Sequence, residues 1–129
     1  MRIAAITGLS KESIEDLVQR HIRTFEIRSA HNLVAFSEVQ PGDLVFLTDV
    51  ALPDLTKGLC GYIAKIKGID IRMHRVTYAT HVNIEERETM SGRIQFILHS
   101  RGKIQEVGPV QNYRPIYVKA IEVTMCEAR

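Results

Sequence analysis

Arg23-Thr24-Phe25-Glu26-Ile27-Arg28 is the stretch on which the reading of this chain turns. As a β-strand, its period of two puts Thr24, Glu26 and Arg28 on one face and Phe25 and Ile27 on the other. One face is then polar and available for chemistry, and the other faces a core. Two further pieces follow in order: Pro41-Gly42-Asp43-Leu44-Val45-Phe46-Leu47 and Gly58-Leu59-Cys60-Gly61-Tyr62-Ile63-Ala64-Lys65-Ile66. Pro then Gly at the centre of a turn is the composition of type II, and the apolar run Leu44–Leu47 suits a strand covered on both faces. This order and spacing point to a small barrel with a polar groove.

Outward from that segment, Ile3 to Ile6 reads as a short strand closed by Thr7-Gly8. A helix follows from Ser10, whose hydroxyl can cap the first turn, with Glu12, Glu15 and Asp16 near the positive end of its dipole. Ile14, Leu17, Val18 and His21 fall on one face, and His21 is read as a boundary histidine at the helix C-terminus. Ser29 to Gln40 reads as loop with a short strand or a turn of helix. Thr48 to Lys57 is a loop. Gly61 to Thr80 alternates as a strand, with Gly68 marking a bulge that re-aims Ile69, Ile71 and Met73. Residues 81–92 are rich in charge and read as a surface loop or one short helix. Arg93–Leu98 and Ile104–Val107 then flank a hairpin tip at Ser100-Arg101-Gly102-Lys103. Pro115 to Met125 is the last strand, with Ile116, Val118, Ile121 and Val123 as core.

The 129 residues suit a single domain able to bury a core without disulfides or metal. Cys60 and Cys126 lie far apart and belong to no CxxC pair, so they read as two buried thiols in a reducing compartment, with a disulfide as the open alternative. No apolar run reaches the ~18 residues of a membrane span, which leads us to expect a cytoplasmic protein with no membrane partner. The five histidines are scattered with no ligand spacing, and GxGxxG, GxxxxGK[ST] and GxSxG are absent. No metal, no cofactor and no catalytic residue is assigned from sequence.

The net charge of +2 is unevenly spread. Residues 1–56 hold five Lys/Arg against eight Asp/Glu, and residues 57–119 hold eleven against five. The second half is therefore basic, and Lys57, Lys65, Lys67, Arg72, Arg75, Arg93, Arg101 and Lys103 are candidates for a surface that attracts phosphate. A solvated face is the plainer alternative.

The helix, the basic-Thr-x-Glu-x-Arg strand at 23–28, the Gly-Asp turn at 42–43 and the Gly-led strand from Gly61 together resemble the ASCH branch of the PUA-like superfamily. The resemblance covers roughly residues 10–72, and within that branch the chain looks most similar to an archaeal family of small uncharacterised proteins. It implies an α+β fold: a small PUA-like mixed β-barrel of five or six strands with one or two flanking helices. It also implies a groove between helix and barrel that recognises RNA or a modified nucleobase. On that basis Thr24 would hydrogen-bond at the groove mouth, Glu26 would accept from a base N–H and Arg28 would grip a phosphate. Tyr62 or Tyr78 would stack on a base, and Arg23, Lys65, Lys67 and Arg72 would complete the ligand-binding set. The plain alternative is a Glu26–Arg28 ion pair that serves the strand alone.

Some ASCH proteins are amidohydrolases of acylated cytidines that use a Lys-Thr pair on this strand and a distant Glu. Here Thr24 matches, but Arg23 replaces the lysine, and arginine does not readily give up its proton to act as a base. A homodimeric interaction module is the third reading, since small barrels with exposed edges often pair.

Overall fold

The computed structural model describes residues 1–79, 81–82, 84–110 and 114–126, without the side chains of residues 74, 76, 78 and 85–89. Among the described residues the chain forms β1 (Arg2–Ile6), α1 (Lys11–Arg20), β2 (Ile22–Ile27), α2 (Ala30–Ala35), β3 (Leu44–Leu47), β4 (Cys60–Ala79), β5 (Ile84–Val107) and β6 (Tyr117–Val123). The strand order is β2-β5-β4-β3-β1-β6, and β6 also pairs with β5. Five strands thus close a hydrogen-bonded ring, and β2 lies outside it. β5 carries both arrangements because one of its edges is used twice: residues 92–97 pair with β2 and residues 101–107 pair with β6.

The alternation in β1 and β3 sorts their side chains into two cores. Ile3, Ala5 and Phe46 point into the ring and meet Ile63, Ile104 and Val118. Ala4, Ile6, Val45 and Leu47 point the other way, where α1 and α2 close over them with Leu17, Leu33 and Phe36. Phe25 and Ile27 of β2 join this helix-side core. Phe25 meets Phe96 edge-on at 5.3 Å between ring centroids. The apolar run Leu44–Leu47 is explained by this placement: β3 lies between β4 and β1 with a core on each face. Phe46 and Ile63 need space inside the ring, and the paired Gly61 and Gly102 supply it, Gly61 for Phe46 and Gly102 for Ile63, whose Cγ1 would stand 2.7 Å from a Cβ at position 102. A Cβ on Gly61 would stand 2.6 Å from the Phe46 ring and 2.5 Å from the Leu47 carbonyl oxygen.

Several local readings hold. Ser10 caps α1 by accepting from the Ser13 N–H, and His21 ends it in the left-handed region at φ 67°. That conformation is costly for a non-glycine residue, and two hydrogen bonds fix it. The His21 N–H donates to Leu17 O, and its carbonyl accepts from the Leu98 N–H. Gly42 has φ 99° and Asp43 N–H donates to Gln40 O, which completes the type II turn. The β4–β5 register slips between Ile66 and Gly68, leaving Lys67 as the extra residue. The bulge restores Ile69 to the helix-side core that already holds Ile66.

Four readings are corrected. Residues 84–92 are the first part of β5 rather than a loop or helix, because they pair residue for residue with β4 from Ile71 to Ala79. Residues 100–103 form no hairpin tip: β5 runs straight through them, with β4 on one side and β6 on the other. The buried series is Ile116, just before β6, with Val118 and Ala120 on it, which turns Ile121 outward and leaves Val123 only half-buried. Cys60 and Cys126 are joined in a disulfide, not free thiols. The segment left open at 29–40 contains α2.

One buried polar contact ties α2 to the ring. Asn32 Nδ2 donates to Thr7 O at 2.8 Å, and its Oδ1 accepts from the Thr7 N–H at 3.2 Å. Thr7 follows β1 and has left the sheet, so the Asn32 amide takes the place of a strand partner for both of its backbone groups. Asn32→Ala is expected to lower stability by about 2–4 kcal/mol, since two buried backbone groups lose their partners. Equilibrium urea unfolding measures this. Reduction of the disulfide, which spans 66 residues, is expected to cost about 4 kcal/mol through the freedom returned to the unfolded chain. Thermal unfolding with and without reductant reads that loss.

Candidate functional site

The polar face of β2 lies opposite the helix-side core, and directly paired residues of β2, β5 and β4 share it. Glu26 pairs with Arg93, and Arg93 with Asp70. One row further along, Ser91 pairs with Arg72, and Arg28 lies one residue beyond the last β2–β5 pair. The result is two rows across three strands: carboxylate, guanidinium, carboxylate, and then guanidinium, hydroxyl, guanidinium. With strands ~4.8 Å apart, the backbones of Arg28 and Arg72 stand about 10 Å apart across Ser91. These residues and Met90 line an open basin of about 630 Å³.

The outer arginines are held by acids two residues before them on the same strand. Arg28 Nη2 and Nε donate to Glu26 Oε1 at 2.8 and 3.2 Å, leaving Oε2 with no hydrogen-bond partner among the described residues. Arg72 Nε lies 3.2 Å from Asp70 Oδ2. Arg93, between the two pairs, has no hydrogen bond or ion pair among the described residues. The hydrogen bond from Arg28 and then its charge, with a smaller pull from Arg93, hold the Glu26 carboxyl below its ordinary range. Glu26 is therefore charged throughout the neutral range, and the basin carries three cations against two anions. Both ion pairs are exposed, so each contributes little to folding; their effect is to set where the guanidinium groups stand.

Of the residues singled out in the sequence, Glu26, Arg28 and Arg72 meet in this basin. Thr24 shares the face but sits a row away, opposite Gln95, and does not line the basin. Arg23 is on the helix side, where its Nε lies 3.2 Å from Asp16 Oδ2 and its guanidinium lies 5.2 Å from the Phe25 ring centroid. Lys65 and Lys67 are exposed on β4, on the ring side of Gly68, and do not line the basin. The Tyr78 side chain lies outside the described residues. Asp70, Met90 and Ser91 were missed as site residues, and Arg93 was read only as one cation of the basic second half. The spacing Asp70-x-Arg72 repeats Glu26-x-Arg28, a signal readable once the Gly68 bulge fixes which face follows it.

The groove expected between helix and barrel is corrected in one respect. A hollow of about 180 Å³ does lie beside α1, lined by Lys11, Glu15, Thr48, Asp49 and Tyr62 among others. The polar face of β2 does not open into it, because Phe25 and Ile27 are the residues that β2 turns toward the helices. Tyr62 belongs to this hollow, and Arg101 lies over its ring at 5.5 Å. The basic residues of the second half are thus divided between two sides of the sheet. No group of three or more metal-ligating side chains occurs among the described residues, and no helix there is long and apolar enough to cross a membrane.

The fold is a small α+β architecture built on a closed ring of strands, and a solved structure shares it. The N-terminal domain of the Lon protease from the Mycobacterium avium complex superposes with a TM-score of 0.53 at 13% identity, covering 100% of this chain and 58% of that one. The chain belongs to the family described as protein of unknown function DUF473, whose model matches residues 1–118. It is 30% identical over 95 residues to the uncharacterized protein MJ0105 of Methanocaldococcus jannaschii, an alignment that spans 74% of this chain and 59% of that protein. The expected similarity to an archaeal family of uncharacterised proteins agrees with these matches.

A second titrating contact lies at the other end of the ring. Tyr117 Oη donates to Glu38 Oε2 at 2.8 Å, and Arg2 lies over the ring at 5.3 Å. Burial first, then the hydrogen bond and charge of Glu38, raise the Tyr117 phenol above its ordinary value of 10.0. A raised folded value means that the unfolded chain deprotonates first. This contribution is complete below pH 10.0 and is lost as pH climbs through the folded value. Thermal unfolding followed upward from pH 10.0 is expected to fall less steeply in Tyr117→Phe than in the parent protein.

Proposed function

We propose that the protein is a PUA-like binding module that takes single-stranded RNA, or a nucleotide bearing a modified base, in the basin between β2, β5 and β4. The observation that carries this reading is Arg93: a guanidinium with no hydrogen bond or ion pair among the described residues, standing between two arginine–carboxylate pairs, with the Ser91 hydroxyl one row away. A phosphate can take two N–H groups from one guanidinium in a plane, and neighbouring Arg28 and Arg72 add charge from either side. The free Glu26 Oε2 offers an acceptor for an amino or imino group of a base. The basin is open rather than enclosed, which suits a strand laid across it more than a small substrate sealed from water. Lys65 and Lys67 extend the positive charge along β4 as a secondary track.

The amidohydrolase reading has less support. Arg23 and Thr24 project from opposite faces of β2, and Arg23 is already engaged by Asp16. The strand does not present them together to one substrate.

Fluorescence anisotropy with a short single-stranded RNA tests the proposal. Arg93→Ala is expected to weaken binding about tenfold at low salt, and to reduce the slope of log affinity against log salt by about 0.7. Glu26→Gln removes an anion and releases Arg28, so it is expected to tighten binding about two- to fivefold. An RNA affinity unmoved by Arg93→Ala, or no binding at low ionic strength, would sink the reading.

A further inference from the structure

The β1–β6 ladder sets two cations side by side on the outer face of the ring. Met1 and Ala120 exchange both of their backbone hydrogen bonds: Met1 O accepts from the Ala120 N–H at 2.8 Å, and Ala120 O accepts from the Met1 amine at 3.0 Å. The next pair, Arg2 and Lys119, is therefore a non-hydrogen-bonded one, in which Cα atoms approach to about 4.5 Å and side chains stand closest. Like charges directly opposite destabilise a sheet. Glu106 stands opposite Lys119 on β5, yet neither cation has a hydrogen bond or ion pair among the described residues. Both open into a cleft of about 380 Å³ whose apolar wall is Met1, Pro109 and Tyr117. The cleft shares no residue with the basin.

The wall is preformed. The Tyr117 ring is fixed by its hydroxyl, which donates to Glu38, and by the Arg2 guanidinium over its face. The Gly108 N–H donates to Tyr117 O at 2.8 Å, and a Cβ at position 108 would stand 2.7 Å from that same oxygen, so only glycine lets this wall approach β6 so closely. Pro109 follows with its φ set by its own ring. A concave, preformed, mainly apolar site with a few convergent charges is the form that small-molecule sites take.

The charges select the ligand. Arg2 presents a planar set of N–H donors suited to an oxyanion, and Lys119 adds a compact charge beside it. The positive ground is narrow, because Glu106 lies beyond Lys119 and Glu38 lies beyond the Tyr117 ring. Arg114 lines a smaller adjoining hollow but has an interaction of its own. One oxyanion fits between the two cations, whereas a run of successive phosphates meets a carboxylate on either side. We propose that this cleft binds a small organic anion, with a carboxylate or phosphate held between Arg2 and Lys119 and an apolar body against Tyr117 and Pro109. The bound anion cancels the repulsion that the ladder register builds in. The proposal stands independently of RNA binding.

Amide NMR of the intact, disulfide-bonded protein tests it, with benzoate, phenyl phosphate and inorganic phosphate as probes. One of the two organic probes is expected to move the Arg2, Gly108 and Lys119 signals saturably, at least fivefold more tightly than inorganic phosphate, and the tighter of the two names the oxyanion. Arg2→Gln and Lys119→Gln are each expected to weaken that binding at least fivefold, whereas Arg93→Ala leaves it unchanged. The Lys119 side chain is exposed and unpaired among the described residues, so its variant keeps the fold. No saturable movement of these signals with either organic probe overturns the proposal, as does parent-like binding in Lys119→Gln. Equal affinity for inorganic phosphate would mean an ion site alone and overturns the organic ligand. A single-stranded RNA that moves the same signals and displaces the probe would assign the cleft to nucleic acid and overturn the proposal, while leaving the basin reading to its own Arg93 test.

Discussion

The antiparallel register between β4 and β5 is the constraint on which the other elements depend. Cys60 to Ala79 runs against Lys103 to Ile84 almost without a break, and each neighbouring element takes its position from that pairing. β5 offers one part of its free edge to β2 and the next to β6, so the outer strand and the ring closure compete for no hydrogen bonds. Two irregularities set which side chains face where. The slip at Ile66–Gly68 keeps Ile66 and Ile69 in one core, and thereby puts Asp70 and Arg72 on the face of Glu26. The slip at Ile63–Ala64 accompanies the change by which Arg101 lies against Tyr62 on the helix side while Arg93 faces the basin. A bulge in a sheet is a local event, but here each one redirects every charged side chain after it.

The parts of the fold that could be read from sequence were those governed by near neighbours. Ser10 caps a helix because its hydroxyl reaches an N–H three residues on. Gly42 completes a turn because its φ is positive, and Phe25 alternates with Glu26 because strands have a period of two. The parts that were missed depend on distant pairing. Residues 84–92 carry Glu85, Glu86 and Glu88, a composition that favours loop or helix, and β4 across the ladder overrides it. Gly102 looked like the apex of a hairpin, whereas its lack of a side chain makes room for Ile63 inside the ring of strands. The fate of the two cysteines could not be decided from spacing, because the approach of Cys60 to Cys126 depends on the path of β6.

The candidate site was half legible for the same reason. Thr24, Glu26 and Arg28 were correctly placed on one face, but their companions come from strands forty to seventy residues away. Only the register shows that Arg93 stands between Glu26 and Asp70. The charge count along the chain pointed to residues 57–119, yet the bulges send some of those cations to each side of the sheet. What the basin gains is a defined pattern: Glu26 and Asp70 pair with the outer guanidinium groups, while the central one has no hydrogen bond or ion pair among the described residues.

The bond between Cys60 and Cys126 also changes how the molecule would respond to tension. A pull applied to the two ends of the chain would pass from residue 60 to residue 126 through the sulfur atoms and bypass the 66 residues of sequence separation between them. Among the described residues, those before Cys60, which contain α1 and α2, could be drawn out. The strands β4, β5 and β6 would remain a covalently looped parcel, slack while the rest of the molecule carried the load.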